Sequence, residues 1–442
     1  MLRRVLAAGR SIVELHRGWS GLVAGVAAGV VGTVLLSSLM APLWLDPEGL
    51  EKGTIVVLSG RDDGLGGQRQ ALIDQWNALP GRPRAEIIEL TGGADAYRSE
   101  MVSRAQAGGG GIDVFNLDVT WIAEFAHAGY LRPLAREGLD TSGFLAKPLE
   151  TCWYQDKLWA LPFNTDAGLL FYRSDLITSS PPSSWPAIRN TIDDVFARQG
   201  SQHPELIAGY TGQLADYEGL TVNAFEAIWA AEGDVVKGNG DVVIDTAEAR
   251  EGLRRLATGL QPGNPQHILP ESLTYEESRS MQAFRDGKTL FMRNWPVAYR
   301  HLGVPGESAG DVLAFQTTVL PRGSVLGGQN LAISKSSDQP RAAQKLIEFL
   351  TGERSQQILF ERGGFAATRE LVYQDSEVQQ RYPYAQTLLT AVRTARLRPV
   401  TPHYSRFSAE FRTGVRYALE HGGELPEGFG ERLAAALNGS RQ

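Results

Sequence analysis

The sequence predicts an α/β protein of two lobes preceded by one N-terminal transmembrane helix. Three observations carry this. The chain has 442 residues, more than one hydrophobic core usually serves. Short apolar runs alternate with amphipathic segments in the first third, the pattern of a parallel sheet with right-handed crossovers. Gly18–Leu45 contains no charged residue and exceeds the roughly 20 apolar residues that span a bilayer.

The head, residues 1–17, carries Arg3, Arg4, Arg10 and Arg17, whereas Asp46 and Glu48 follow the apolar span. A basic flank stays in the cytoplasm, so everything after Leu45 is expected outside a single-pass cell-membrane anchor. A cleaved signal peptide has a shorter apolar core, about 7–15 residues. An uncleaved anchor over 18–45 is therefore preferred to cleavage near Ser38–Ala41, and residues 46–53 read as a linker.

The strands and helices follow in order. Thr54–Leu58 is a buried-strand run, and Gln68–Leu79 puts Leu72, Ile73, Trp76 and Leu79 on one helical face. Ala85–Leu90 (strand), Ala94–Ala107 (helix), Ile112–Leu117 (strand) and Thr120–Ala128 (helix) continue the alternation. Ligands sit at the carboxyl ends of strands in such sheets, which here carry Ser59–Asp63, Thr91–Gly93 and Asn116–Asp118. Pro181–Pro186 breaks the chain. Helical sequence resumes at Thr191–Arg198, Val222–Glu232, Thr246–Leu260 and Ser278–Asp286. Thr289–Met292, Val312–Phe315 and Asn330–Ile333 read as short strands. Asp338 fits an N-cap before Pro340, and Gly352 fits the end of that helix.

Composition removes several function classes. An apolar share of 43% and a charged share of 21% are those of a globular protein. A net charge of -7 offers no basic face to nucleic acid. Cys152 is the sole cysteine, so no intrachain disulfide forms. The seven histidines lack metal-ligand spacing, and neither metal nor cofactor is expected. Gly108–Gly111 is a turn, not a phosphate loop.

The densest chemistry lies in Trp153–Arg173, where Trp153, Tyr154, Trp159 and Phe163 precede the polar cluster Asn164–Asp166. Aromatic faces beside convergent polar groups suit a sugar; the same residues equally suit a buried core strand. Five strings in order then resemble the family 1 extracellular solute-binding proteins of ABC importers, in the maltose/trehalose-binding branch. They are F-N-L-D-V-T-W-I-A-E-F at Phe115–Phe125, Y-Q-D-K-L-W-A-L-P-F-N-T-D-A-G-L-L-F-Y-R at Tyr154–Arg173, and F-M-R-N-W-P at Phe291–Pro296. G-G-Q-N-L-A-I-S at Gly327–Ser334 and R-P-V-T-P-H-Y at Arg398–Tyr404 complete the set. The resemblance covers nearly all of Thr54–Arg412.

The resemblance implies a periplasmic-binding-protein-like fold of type II, with ligand in a cleft and hinge closure around it. Lobe 1 would take residues 54–165 plus about 312–362, and lobe 2 residues 166–311 plus about 363–442. It further implies that Asp118, Asp166 and Glu218 meet sugar hydroxyls, and that Trp295 is an aromatic platform. Gly328 would give backbone contacts and Arg398 would approach from the late segment. Asp62 or Asp63 would reach in from the first loop. Gln329 departs from the aromatic of several relatives and implies a more polar subsite. The implied protein is a monomer that delivers a di- or oligosaccharide to ABC permease subunits.

Each residue has a plainer role available. Asp118 could cap a helix, Asp166 could pair with Arg173, Glu218 could be a loop acid, and Trp295 could be core. A membrane-anchored sugar sensor and a glycoside hydrolase built on the same carboxylates are the alternatives. Gly306–Gly310 matches G-x-S-x-G but lies in a loop, where a nucleophile elbow does not form.

Overall fold

The computed structural model describes residues 49–199, 202–303 and 313–440. The basic head, the expected anchor and Gly306–Gly310 lie outside the described residues. Among the described residues, no helix is long and apolar enough to cross a membrane.

Twelve strands are described. β1 (Ile55–Gly60), β2 (Ala85–Leu90), β3 (Val114–Asp118) and β4 (Leu131–Arg132) come first. A hairpin, β5 (Trp153–Tyr154) and β6 (Lys157–Leu158), leads into β7 (Ala160–Ala167) and then β8 (Leu169–Arg173). β9 (Ala208–Thr211), β10 (Thr289–Asn294), β11 (Phe315–Val319) and β12 (Leu326–Ser334) follow. The first sheet runs β2-β1-β3-β12-β4 with β7 on β12; the second runs β11-β8-β10-β9. β1 pairs parallel with β2 and β3, as the early alternation predicts. β12 enters antiparallel between β3 and β7.

Each sheet has its own core. Helix Gln68–Asn77 buries Leu72, Ile73 and Trp76 against the first sheet, and the Trp76 indole donates to Pro83 O at 2.7 Å. Leu220, Phe225, Ile228, Leu253, Phe407 and Phe411 build the core of the second. A third cluster, including Phe171, Phe315, Phe360 and Tyr384, packs alongside β8 and β11.

The chain leaves the first sheet at Gly168, where a Cβ would stand 2.7 Å from the Arg293 guanidinium. β11 belongs to the second sheet, so the return falls between Val319 and Leu326, later than the boundary near 312 expected from the sequence. The N-cap position of helix Pro340–Leu350 is Gln339, not Asp338, and its side chain makes no capping hydrogen bond. The Glu51 carboxylate, from the linker, accepts from Ala342 N at 2.9 Å and supplies the negative charge that a helix start favours.

The aromatic string resolves toward the core. Trp153, Tyr154, Trp159 and Phe163 all pack in or against the first core, and none of them lines the large cavity described next.

Candidate ligand-binding cleft

A cavity of about 580 Å³ opens between the two sheets, within the roughly 300–1,000 Å³ of small-molecule sites. Asp62, Asp63, Asp118, Asp166, Glu218, Trp295, Gly328, Gln329 and Arg398 all line it. The structure thus brings together every residue that the family resemblance singled out, though not the aromatic string, and then divides them by what their atoms already hold.

Three adjacent strands make the floor. Gln329 on β12 stands opposite Asp118 on β3, and Gly327 stands opposite Asp166 on β7. Residues opposite one another, and residues two apart, share a sheet face, so Asp118, Gln329 and Asp166 present one face. Gly327 keeps its middle open: a Cβ there would press the Trp295 ring at 3.3 Å. Gly328 has φ +118°, and a Cβ would stand 2.3 Å from Asn164 O, so no side chain fits. Its carbonyl accepts from Val119 N at 3.1 Å.

Asp118 does not cap the following helix, which starts at Ile122 with Trp121 at its N-cap and no side-chain cap bond. Its Oδ1 accepts from Thr120 N at 2.9 Å and Thr120 Oγ1 at 2.8 Å, within the turn before that helix. Among the described residues Oδ2 has no hydrogen-bond partner and remains open to the cavity. Asp166 does not pair with Arg173, whose guanidinium binds Asp175 at 2.6 Å. Its Oδ1 is buried without a partner, and Oδ2 receives only a long contact, 3.4 Å, from Asn164 Nδ2. Burial pushes the Asp166 carboxyl up to about 8, and the Asp118 charge adds to this against the pull of Arg293 and Arg69. The Gln329 amide oxygen is likewise buried and unpartnered.

Glu218 and Asp62 are occupied by the protein. Glu218 Oε1 binds Arg398 Nη1 at 2.6 Å and takes the Tyr404 hydroxyl, while Oε2 accepts from Ser408 Oγ at 2.6 Å. Burial beside Glu218 holds the Tyr404 phenol far above its ordinary range, so it stays a donor. Arg398 also reaches Asp118 Oδ1 at 3.6 Å. Asp62 accepts from Gly64 N at 3.0 Å, from Gln68 and, at 3.4 Å, from Arg69 N; it organises its own loop. Asp63 pairs with Arg61 at 3.0 Å near the surface.

Trp295 is half-buried. The Arg293 guanidinium lies 3.8 Å from its ring centroid, and Glu277 Oε1 accepts from the indole N–H at 3.2 Å. Arg293 is held in turn by Glu226, at 2.9 and 2.8 Å. With one indole face covered, the other is the face a ligand can meet.

Sequence reasoning missed Arg69 and Arg293, and gave Asn116 only its place at the carboxyl end of a strand. Arg293 had a signal, a lone charge directly after the apolar run Leu290–Met292; Arg69 had none. Asn116 Nδ2 donates to Ser59 Oγ at 2.9 Å, and its Oδ1 is unpartnered.

A cleft between two α/β cores, with acceptors and one indole face around it, defines the class: a solute-binding protein. A family model for bacterial extracellular solute-binding proteins matches residues 81–386, and the chain belongs to that family, which binds solutes and is not a family of enzymes. A probable ABC transporter-binding protein of Deinococcus radiodurans is 26% identical over 364 residues, covering 78% of this chain and 84% of that protein. Maltose-bound T. maritima MalE3 superposes with a TM-score of 0.76 at 28% identity, over 87% of this chain and 99% of that one. The GacH receptor of Streptomyces glaucescens, solved unliganded and with acarbose, gives 0.73 at 20% identity over 88% and 100%; it supports the fold. These matches bear out the family resemblance and the periplasmic-binding-protein-like fold expected from the sequence.

Proposed function

We propose that the protein captures a di- or oligosaccharide in this cleft and delivers it, as a monomer, to ABC permease subunits. The observation that carries this is a cavity lined by Asp118, Asp166, Gln329 and Trp295, in which Asp166 and Gln329 keep acceptor atoms without protein partners. Sugars offer hydroxyl donors at the rim and apolar ring faces, which suits both these acceptors and the indole. Asp118, Asp166 and Gln329 make the polar contacts. Trp295 stacks, the Gly328 backbone lets a ring approach, and Arg398 sets the orientation of Asp118. Glu218 and Asp62 act one step back, holding Arg398 and the first loop. The maltose-bound relative supports a sugar as ligand. Residues 18–45 hold the binding domain at the extracytoplasmic face of the membrane, and the two sheets with their cores close as lobes about the crossings at Gly168 and 320–325.

A hydrogen bond to the charged Asp118 contributes roughly 1.5–3 kcal/mol and one to a neutral group about 0.5–1.5 kcal/mol; the stacked ring adds to these toward the roughly −8 kcal/mol of micromolar affinity. A thermal-shift screen of maltose, trehalose and related oligosaccharides tests the reading. At a hundredfold excess over Kd a true ligand adds about 2.7 kcal/mol of stability, and Trp295→Ala removes most of that gain. A screen in which no saccharide moves the melting temperature rejects it.

A further inference from the structure

The floor of the cleft carries two carboxylates on strands flanking β12, Asp118 and Asp166, with the Gln329 side chain on the same face between them; Asp166 Oδ1 and Gln329 Oε1 are without partners. Asn116 extends the row one step deeper on β3. It is 3% exposed, and its orientation is fixed by its neighbours. Ser59 Oγ donates to Gly60 O and accepts from Arg69 Nη1 at 2.9 Å, so it can only accept from Asn116. The amide oxygen is therefore the atom left without a partner.

The cations nearby are committed elsewhere. Arg293 binds Glu226, Arg69 binds Ser59 Oγ and the carbonyls of Gly60 and Arg61, and Arg398 binds Glu218. Among the described residues no cation forms an ion pair with Asp166. A sugar hydroxyl brings no charge to compensate the Asp166 carboxylate. An ammonium has three donors and no acceptor. It also neutralises a carboxylate that is costly to bury alone.

We propose that the ligand is an amino sugar, its ammonium seated between Asp118, Asp166 and the amide oxygen of Gln329. This rests on the reading of the cleft as a saccharide site. A proton consequence follows. Asp166 is raised to about 8 in the empty cleft, and the neighbouring C–O groups of an amino sugar make its amine less basic than a Lys side chain. Seating the cation displaces the Asp166 proton, so amine binding tightens and releases a proton as pH rises from 6, until the free amine itself loses its proton. The charged groups acting on Asp166 are Asp118, Asp63, Arg293 and Arg69, with Arg398 behind Asp118. His301 also lines the cavity, its ring on Asp63 O at 2.8 Å, and a His301→Gln variant separates its protonation from that of Asp166.

The test is isothermal titration of the full-length chain at pH 7.5. The probes are maltose and trehalose, their mono-amino derivatives with the amine at C2, C4 or C6, and the N-acetylated forms of these. One amino derivative is expected to bind at least tenfold more tightly than its neutral parent, with N-acetylation abolishing the gain. Asp166→Asn is expected to bring amine and parent within threefold of each other. If a neutral parent binds and no amine binds more tightly, or if Asp166→Asn leaves the preference intact, the inference falls and the saccharide site stands. If no probe binds, both fall.

Discussion

Two carboxylates in one cleft, Asp118 and Glu218, are expected to fail in opposite ways when removed. Arg398 has a side chain 2% exposed, and Glu218 is its close anionic partner at 2.6 Å. Without Glu218 it keeps Leu326 O at 3.4 Å and Asp118 at 3.6 Å, and Tyr404 and Ser408 lose their acceptor as well. Leaving one member of a buried pair uncompensated costs about 3–5 kcal/mol. Because the Glu218 side chain is 19% exposed, we take the lower end for Glu218→Ala, about 3 kcal/mol, or a fall in Tm of about 5 °C or more. Asp118→Asn keeps the shape and the acceptor for Thr120 N, so its stability stays within about 1 kcal/mol of the wild type. It removes the charge facing the ligand, worth about 1.5–3 kcal/mol, a loss of roughly 10- to 150-fold in affinity. Denaturant midpoints and calorimetric titration with a sugar found by the screen separate the two effects. A Glu218→Ala protein as stable as the wild type, or an Asp118→Asn protein binding within twofold of it, refutes this division of labour.

Three further outcomes follow from the same geometry. Asp166 rises from an ordinary 3.8 to about 8 on folding, so the folded chain holds a proton that the unfolded chain releases above about pH 4. This group therefore makes the wild type lose stability as pH rises from about 4 to 8, by at most about 1.4 kcal/mol per pH unit, with no further loss above; Asp166→Asn removes that slope. Its Tm advantage over the wild type should grow between pH 5 and pH 8, and a constant difference contradicts the assignment. Gly328→Ala must place a Cβ 2.3 Å from Asn164 O at φ +118° and should cost at least about 2 kcal/mol in a denaturant titration. Arg412 links Asp95, at 3.3 Å, to Asp216, at 3.4 Å, across the mouth of the cleft. The Arg412 side chain is 15% exposed and its partners 64% and 51%, so Arg412→Ala should weaken ligand binding by less than about fivefold, and the difference should shrink near 1 M salt.

The early alternation was legible because β1 and β3 are buried on both faces and read as continuous apolar runs, with surface helices between them. Local rules failed where tertiary contacts overrode them. Pro186 reads as a break, yet helix Trp185–Gln199 begins around it, since the first turn needs no N–H from proline. Helix Glu218–Ala230 starts four residues before Val222 because it is buried on nearly every side, so no amphipathic period marks its onset. β12 begins at Leu326, although Gly327 and Gly328 favour a turn in isolation; pairing on both edges extends them. The aromatic string misleads for a related reason: a buried strand and a ligand pocket draw on the same side chains, and direction is not written in composition. Asp118, Asp166 and Trp295 were legible as candidates through the strings that resemble the solute-binding family; strand position alone pointed only to Asp118. The partners that decide how they act are local for Asp118 and Trp295, namely Thr120 and Arg293, whereas Glu218 is held by Arg398, Tyr404 and Ser408 from far along the chain.

The connection between the two halves runs through Arg398. Its guanidinium is fixed on the second core's side by Glu218, which is itself held by Tyr404 and Ser408 on helix Tyr404–Glu420. From there it faces Asp118 at 3.6 Å on the first sheet, too long for a good charge-assisted hydrogen bond. A ligand donor taking Asp118 Oδ2 adds a third partner to a carboxylate already engaged by Thr120 and Arg398, within reach of both sheets. The same helix carries Arg412, which meets Asp95 at the rim. Ligand capture at the floor and contact at the mouth therefore bear on one rigid helix. A ligand that engages Asp118 while the rim is shut makes more contacts than one held by a single lobe, and that difference is what can bias closure.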